Sequence, residues 1–376
     1  MKKPNVFTAF AAFLLGAICL GGCGQSSNPR NDASIVWIKN HYATLFRVGH
    51  SPTDSFLEVY SDAKSHKTIG RFFWGKSKAI EGYEKLTSRE RIVSLSAIHT
   101  GMLAELDAHS ALVGVESTKY IAHPALLNNP FLKTLYEVAP DGPIVPEKLA
   151  LSQPKLVFGS ISSIEDKQAI ERLGKQKFSV IWCNNHLENH PLGRTEWIIA
   201  FGWVMGKANA AQTLFNTVQS NYEQIAAQAK KAAISPPKVI ANCAYNGVWF
   251  IPQNASYVAQ LIRDAGGEPI TVEMGAGSNV INLEKAITLF RDADIWINTD
   301  LCTTLRCLEQ SDPRIVNIKA FKNRRAYHFN KQLQPNGSNP YWDMGCIYPN
   351  KVLSDLFHIV GNTHRVESAH YYDICK

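Results

Sequence analysis

Ser96, His99 and Thr100 fall together in the stretch SAIHT, between an apolar run and an apolar helix. A hydroxyl, an imidazole and a second hydroxyl at that spacing could bind a ligand, act as nucleophile and base, or cap a helix. Ile92, Val93 and Leu95 form the short apolar run of a strand buried on both faces. Met102, Leu103 and Leu106 then recur at helical spacing, and LVGV from Leu112 reads as a second strand. The cluster therefore lies where the chain leaves a parallel sheet, beside the free N–H groups of a helix start, where ligands bind in open α/β sheets. Nucleophilic chemistry is disfavoured. The strand-elbow pattern G-x-S-x-G is missing, and Ser96 and His99 are neighbours in one turn.

The surrounding pattern alternates. KLVFGS (155–160), a helix through IEDKQAIERLG and the strand FSVIWC (178–183) follow the first unit, with Ser162 and Glu165 as a capping box and Gly174 at the helix end. Alternation of this kind means a mostly parallel sheet covered on both faces. A long helical stretch runs from about Arg194 to Ala233, with Leu214, Val218, Tyr222 and Ile225 on one stripe, and Ser235-Pro236-Pro237 stops it. KVIANCAY, SYVAQLIRDAGG, DIWINTD and RAYHF repeat the alternation, and PNKVLSDLFHIV closes the chain as a helix. The expected architecture is two α/β lobes joined by a long helix. IVPEKLALSQPKLVFGS and INLEKAITLFRDADIWINT form a weak internal repeat, each opening a short helix with Glu-Lys and leading into an apolar strand. That match suggests duplicated lobes. Residues 35–90 differ, being aromatic-rich short segments that read as an antiparallel meander.

The chain opens MKKPNVFTAFAAFLLGAICLGGC, two lysines, an apolar run and a small-residue site, which reads as a secretory signal over 1–22. Cys23 directly after Gly21-Gly22 resembles a bacterial lipobox, with Cys23 as the acylated residue and 23–34 as a polar tether. The 376-residue length favours more than one domain. A net charge of +7 without a Lys/Arg block excludes a nucleic-acid surface and suits an anionic small ligand. Six cysteines lie beyond the lipobox: Cys183, Cys243, Cys302, Cys307, Cys346 and Cys375. Export permits disulfides, Cys302 and Cys307 are the only close pair, and the pairing stays open.

Taken in order, the lipobox, RIVSLSAIHTGMLAELDAHSALVGV, PEKLALSQPKLVF, VWFIPQNASYVAQLIRDAGGEPI and YWDMGCIYPNKVLSDL resemble class III periplasmic substrate-binding proteins of ABC importers for ferric siderophores, haem and cobalamin. LENHPLGRTEWIIAFGWVMG is similar to a lipoprotein branch of that family. The resemblance implies an α/β fold of two Rossmann-like lobes joined by a long rigid α-helix, with the meander as an N-terminal extra. The corresponding divisions are a lobe over 91–193, an inter-lobe helical segment over 194–234 and a lobe over 235–376. It implies a binding protein rather than an enzyme, monomeric, held in the periplasm by lipid on Cys23. Its expected partners are a permease dimer and a small iron complex or corrinoid. No resident cofactor or metal site is implied, since iron or cobalt belongs to the cargo. Ligand contacts are expected from His99, Lys119 and Tyr120 of the first lobe and from Tyr245, Trp249, Tyr257, Asn336, Tyr341 and Trp342 of the second. Large planar ligands need aromatic walls of this sort. Arg194 could meet a carboxylate or brace the LENHPLG loop. Glu147 and Glu284, at matching points of the repeat, are implied to dock the lobes on the permease, against the alternative of helix capping.

Two other readings stand beside this one. A direct metal-ion receptor would need converging histidines, whereas His99, His123, His186, His190 and His328 are scattered. A Ser/His hydrolase on related lobes is the reading from a different class. The choice among haem, cobalamin and siderophore, and the membrane that holds the lipid, are not fixed by sequence.

Overall fold

The computed structural model describes residues 35–160, 164–174, 178–232, 235–272, 278–361 and 368–376, and Ile35–Lys376 forms one compact unit. The signal, Cys23, the tether and the Ser162–Glu165 capping box lie outside the described residues.

The first sheet is the expected meander. Strands β1 (Val36–Ile38), β2 (Phe46–His50), β3 (Asp54–Tyr60) and β4 (Thr68–Gly75) pair antiparallel in order, and β5 (Glu84–Lys85) joins β4 in parallel. Alternation fixes its faces: Phe46, Val48, Leu57, Val59 and Phe72 enter the same core as Ile92, Leu156, Trp197 and Phe201. The meander is thus packed into the first lobe and is not a free module.

That lobe holds a fully parallel sheet in the order β10-β9-β6-β7-β8. Its strands are β6 (Ile92–Ser94), β7 (Leu112–Val115), β8 (Tyr136–Glu137), β9 (Leu156–Gly159) and β10 (Ser179–Trp182). The helices between them are α1 (Ala97–Glu105), α2 (Pro124–Leu127), α3 (Pro146–Leu151) and α4 (Ile164–Gly174).

The long helical stretch is two helices. α5 (Pro191–Met205) ends where Gly206 turns left-handed at φ 71°, and α6 (Ala208–Ala232) follows. A left-handed residue cannot continue a helix, and glycine adopts it without steric cost. α5 is buried nearly all round. α6 places Ala211 and Phe215 in the first core and Val218 and Tyr222 in the second, so its 25 residues bridge the lobes.

The second lobe has the sheet order β14-β11-β16-β17-β18. It comprises β11 (Lys238–Ala241), β14 (Glu268–Pro269), β16 (Ile295–Ile297) and β17 (Ala326–His328), all parallel, with β18 (Asp373–Ile374) antiparallel at the edge. A small antiparallel sheet adds β12 (Ala244–Tyr245), β13 (Val248–Pro252) and β15 (Ser278–Asn282). KVIANCAY is therefore not one strand: Asn242, at φ 70°, breaks it between β11 and β12. The helices are α7 (Tyr257–Asp264), α8 (Leu283–Phe290), α9 (Leu305–Ser311), α10 (Lys319–Lys322), α11 (Pro340–Ile347) and α12 (Pro349–Val360). The repeat has a topological counterpart, since α3 leads into β9 beside β6, and α8 leads into β16 beside β11.

The lobes meet through α1 and α11. A Cβ at Gly101 would lie 2.9 Å from Ile347 Cδ1, so a larger residue there would make the end of the Ile347 side chain shift. Cys302 and Cys307 form a disulfide, while Cys183, Cys243, Cys346 and Cys375 are free. Among the described residues no helix is long and apolar enough to cross a membrane.

Candidate functional site

A cavity of about 100 Å³ lies between the lobes, and five helices supply its wall. Ile98 comes from α1, Pro191 and Arg194 from α5, and Tyr257 and Leu261 from α7. Tyr341, Trp342, Gly345 and Cys346 come from α11, and Pro349 and Val352 from α12. Larger hollows, of about 560 Å³ beside Trp74 and Arg89 and about 640 Å³ beside Glu284, do not join the two lobes.

Arg194 is fixed from two sides. Its Nε donates to Glu188 O at 3.2 Å and its Nη2 to His186 O at 2.7 Å, bracing the loop that precedes α5. Its guanidinium lies 3.6 Å from the centroid of the Tyr257 ring. A planar cation over an aromatic face is attracted by the ring quadrupole. The Glu188 carboxylate itself turns away, accepting the amides of Thr44 and Leu45 and the Trp197 indole. Glu196 accepts the amides of His41, Tyr42 and Ala43. The LENHPLGRTEW motif thus anchors the meander with its glutamates and walls the cavity with its proline and arginine.

Tyr341 is buried, its ring stacked on Phe329 at 4.5 Å and its hydroxyl 3.3 Å from that of Tyr372. Trp342, 55% exposed, stands edge-on to both Phe329 and Tyr341. Burial raises the phenol pKa of Tyr257 and Tyr341, and it raises the Cys346 thiol to about 11 despite the opposing pull of Arg194 and Asn185. All three groups are neutral at physiological pH.

The expected contacts divide accordingly. Tyr257, Tyr341 and Trp342 line the cavity. His99 does not. It is fully buried, its Nε2 lies 2.9 Å from Asn185 Oδ1, and its ring packs against Phe201. Burial pulls its pKa down to about 4 against the Asn185 hydrogen bond, so it is a neutral interior histidine. The wall takes its neighbour Ile98 instead. Capping is also absent from SAIHT: the Ser96 side chain makes no cap bond, and Thr100 Oγ1 donates back to Ser94 Oγ and Ser96 O.

Trp249 is likewise not a wall residue. It is fully buried, packed on Phe290 and Trp296, with its indole N–H donated to Ala241 O. Strand alternation in β13 sends Trp249 inward and Phe250 outward. Lys119 is exposed and donates to Pro140 O beside the exposed Tyr120 ring, outside the cavity lining. Tyr245, 69% exposed, lines a surface groove that includes Glu284. Asn336 closes a turn on Ser338 and also lies off the cavity.

Glu147 and Glu284 are exposed in the first turns of α3 and α8. The cap at α8 is supplied by Asn282, whose Oδ1 accepts the Lys285 amide. Ile98, Pro191, Leu261, Gly345 and Cys346 escaped the sequence reading because nothing but helix position marks them.

The fold and cavity define a two-lobed binding protein, and comparison with known proteins gives its family. Residues 92–333 match the periplasmic binding protein family, and the chain belongs to it. The family is one of binding proteins, not enzymes. An uncharacterised lipoprotein of Methanocaldococcus jannaschii is 31% identical over 175 residues, 46% of this chain and 39% of that one, so the chain spans well under half the length of this curated relative. The fold is shared with a periplasmic haem-binding protein of Pseudomonas aeruginosa, at TM-score 0.54 and 17% identity over 75% of this chain and 94% of that one. It is shared too with a periplasmic vitamin B12-binding protein of Vibrio cholerae, at TM-score 0.53 and 12% identity over 72% and 96% of the two chains.

Proposed function

We propose that this protein is the substrate-binding lipoprotein of an ABC importer. It captures an iron complex, a ferric siderophore or haem, or else cobalamin, between its lobes and delivers it to a permease. The observation that carries the reading is a cavity walled by both lobes, with Tyr257, Tyr341 and Trp342 as aromatic surface. The haem- and B12-binding proteins that share the fold support the same ligand classes. At about 100 Å³ the cavity is smaller than the roughly 300–1,000 Å³ of ordinary ligand sites. A planar cargo therefore rests mainly on the mouth at Trp342, or the loops part to admit it.

Export and acylation at Cys23 would keep the protein at the membrane, and Glu147 and Glu284 would meet basic groups on the permease subunits. Direct metal capture has less support: among the described residues no group of three His, Cys, Asp or Glu side chains is placed to hold a metal ion. The hydrolase reading is weaker still, because His99 bonds Asn185 and not Ser96.

The test is a visible spectrum of the purified protein after incubation with haem, cobalamin or a ferric catecholate and removal of free ligand. Retention of a Soret, corrin or charge-transfer band in stoichiometric amount supports the reading. No retained chromophore from any of the three would refute it.

A further inference from the structure

The aromatic meander has a basic end that cargo binding does not use. Residues 35–90 hold nine Lys and Arg against six Asp and Glu, and two of the six, Asp54 and Glu58, are buried. The register across the sheet places Val36, His50, Ser55 and Trp74 in one row, at the end where the chain enters β1. Just beyond that row, Lys76 and Lys78 are exposed on a loop that Asp54 holds in place. Its carboxylate accepts the Ser77 amide at 2.9 Å and the Ser77 hydroxyl at 2.7 Å. The end of α5 reaches the same place: the Trp203 ring stacks on His50 at 6.3 Å, and Arg89 Nε donates to Val204 O at 2.7 Å. Exposed Lys207 follows Gly206, where a Cβ would meet Arg89 Nη1 at 3.2 Å. A hollow of about 560 Å³ opens here beside Trp74, Thr87, Ser88 and Arg89, with Glu90 as the carboxylate of its lining. Among the described residues, none of Lys76, Lys78, Arg89 and Lys207 forms an ion pair.

We infer that this end of the meander rests on the membrane surface and binds the phosphate headgroups of anionic lipids. The inference goes beyond cargo capture, and it uses the acylation proposed at Cys23 only to say which surface is near. Residues 23–34 lead into the row that begins at Val36, and twelve residues span at most about 40 Å. An acyl chain on Cys23 therefore keeps this end of the protein, before any other, within that distance of the lipid. Grouped cations complement a layer of phosphates, and each basic side chain near an anionic surface raises partition about fivefold. Trp74 and Trp203 are partly exposed and supply amphipathic rings of the kind that settle at headgroup depth. The Thr87 and Ser88 hydroxyls and the Arg89 guanidinium line the hollow, and these are donors suited to phosphate oxygens.

Vesicle sedimentation tests this without the anchor. The chain over 23–376 carrying Cys23→Ser has no acyl group, and it is mixed at low salt with vesicles of phosphatidylcholine alone or with phosphatidylglycerol added. It should partition at least about tenfold more strongly onto the anionic vesicles, and added salt should abolish the difference. The paired change Lys76→Gln with Lys78→Gln should lower that partition by about tenfold or more. Lys64→Gln with Lys67→Gln removes the same charge from the turn between β3 and β4, at the opposite end of the sheet, and should leave partition nearly unchanged. All four lysines are exposed, so both pairs keep the fold. Equal or undetectable binding to the two vesicle types would overturn the inference. So would equal losses from the two pairs, which would reduce the effect to net charge. A protein that retains haem, cobalamin or catecholate but ignores anionic vesicles would keep the import reading and lose this surface.

Discussion

The Tyr348 hydroxyl donates to Glu105 Oε2 at 2.7 Å, and this bond runs from the second lobe to the first. The other oxygen of Glu105 lies 3.1 Å from His123 Nε2. The Ala122 amide donates to Asp343 across the same seam, next to the close approach of Gly101 and Ile347. The lobes are docked on each other through packed helices. Tyr348→Phe keeps the ring and removes the bond, so it should lower the unfolding free energy by about 1–2 kcal/mol. Urea denaturation checks this, and an unchanged midpoint would mean that packing alone holds the seam.

Glu196 joins the meander to the first lobe. Its buried carboxylate accepts three successive amides, from His41, Tyr42 and Ala43, at 2.7, 2.8 and 2.6 Å. Glu196→Gln turns an NH₂ toward donors and should cost about 3 kcal/mol. Hydrogen exchange should then accelerate at residues 41–45 before it does elsewhere. Uniform protection would show that the apolar contacts of Phe46 and Trp197 suffice.

His99 gives stability a pH dependence of definite sign. The unfolded imidazole takes up a proton near pH 6.5 and the folded one only near 4, so stability is lost as pH falls through that interval. The limit is about 3 kcal/mol. Asp343 works in the opposite direction: burial raises its carboxyl from 3.8 to about 6, so its contribution falls as pH rises between those values. His99→Gln isolates the first effect. Relative to that variant, wild type should lose stability progressively from pH 7 to pH 4, and parallel curves would contradict the assignment.

Charge reversal tests docking. Glu147→Lys and Glu284→Lys should each leave ligand affinity unchanged while impairing uptake, and the double variant should be worse. Two charges set apart on a rigid body fix orientation as well as speeding encounter. Normal transport by the double variant at wild-type protein levels would return both residues to the helix-end role. That role is already weakened at Glu284, because Asn282 supplies the cap of α8.

The lobes were legible because period and alternation encode them. LVGV, KLVFGS, DIWINTD and RAYHF carry their strands in plain apolar runs, and these are β7, β9, β16 and β17. The break at Gly206 was not, since a single glycine in an apolar helical pattern is compatible with continuation until the left-handed φ is seen. Site residues were harder. His99 and Ile98 differ by one helical position, about 100° of rotation, and sequence does not say which faces the partner lobe. Trp249 and Phe250 differ by one strand position, which exchanges the faces of the sheet. Arg194 is visible as a residue type, but that its guanidinium is held by the Glu188 and His186 carbonyls and the Tyr257 ring is a tertiary fact.

The two tryptophans now separate stability from binding. Trp249→Ala should cost about 3–5 kcal/mol of folding free energy, as expected for an emptied aromatic site. Trp342→Ala should leave folding intact, because more than half of that side chain is already in solvent. The decisive measurement is the dissociation constant of Trp342→Ala for whichever complex the spectrum identifies. Loss of one aromatic wall should weaken binding by about 5- to 150-fold, corresponding to roughly 1–3 kcal/mol. Wild-type affinity in a folded Trp342→Ala protein would contradict a cargo site at the mouth of the inter-lobe cavity.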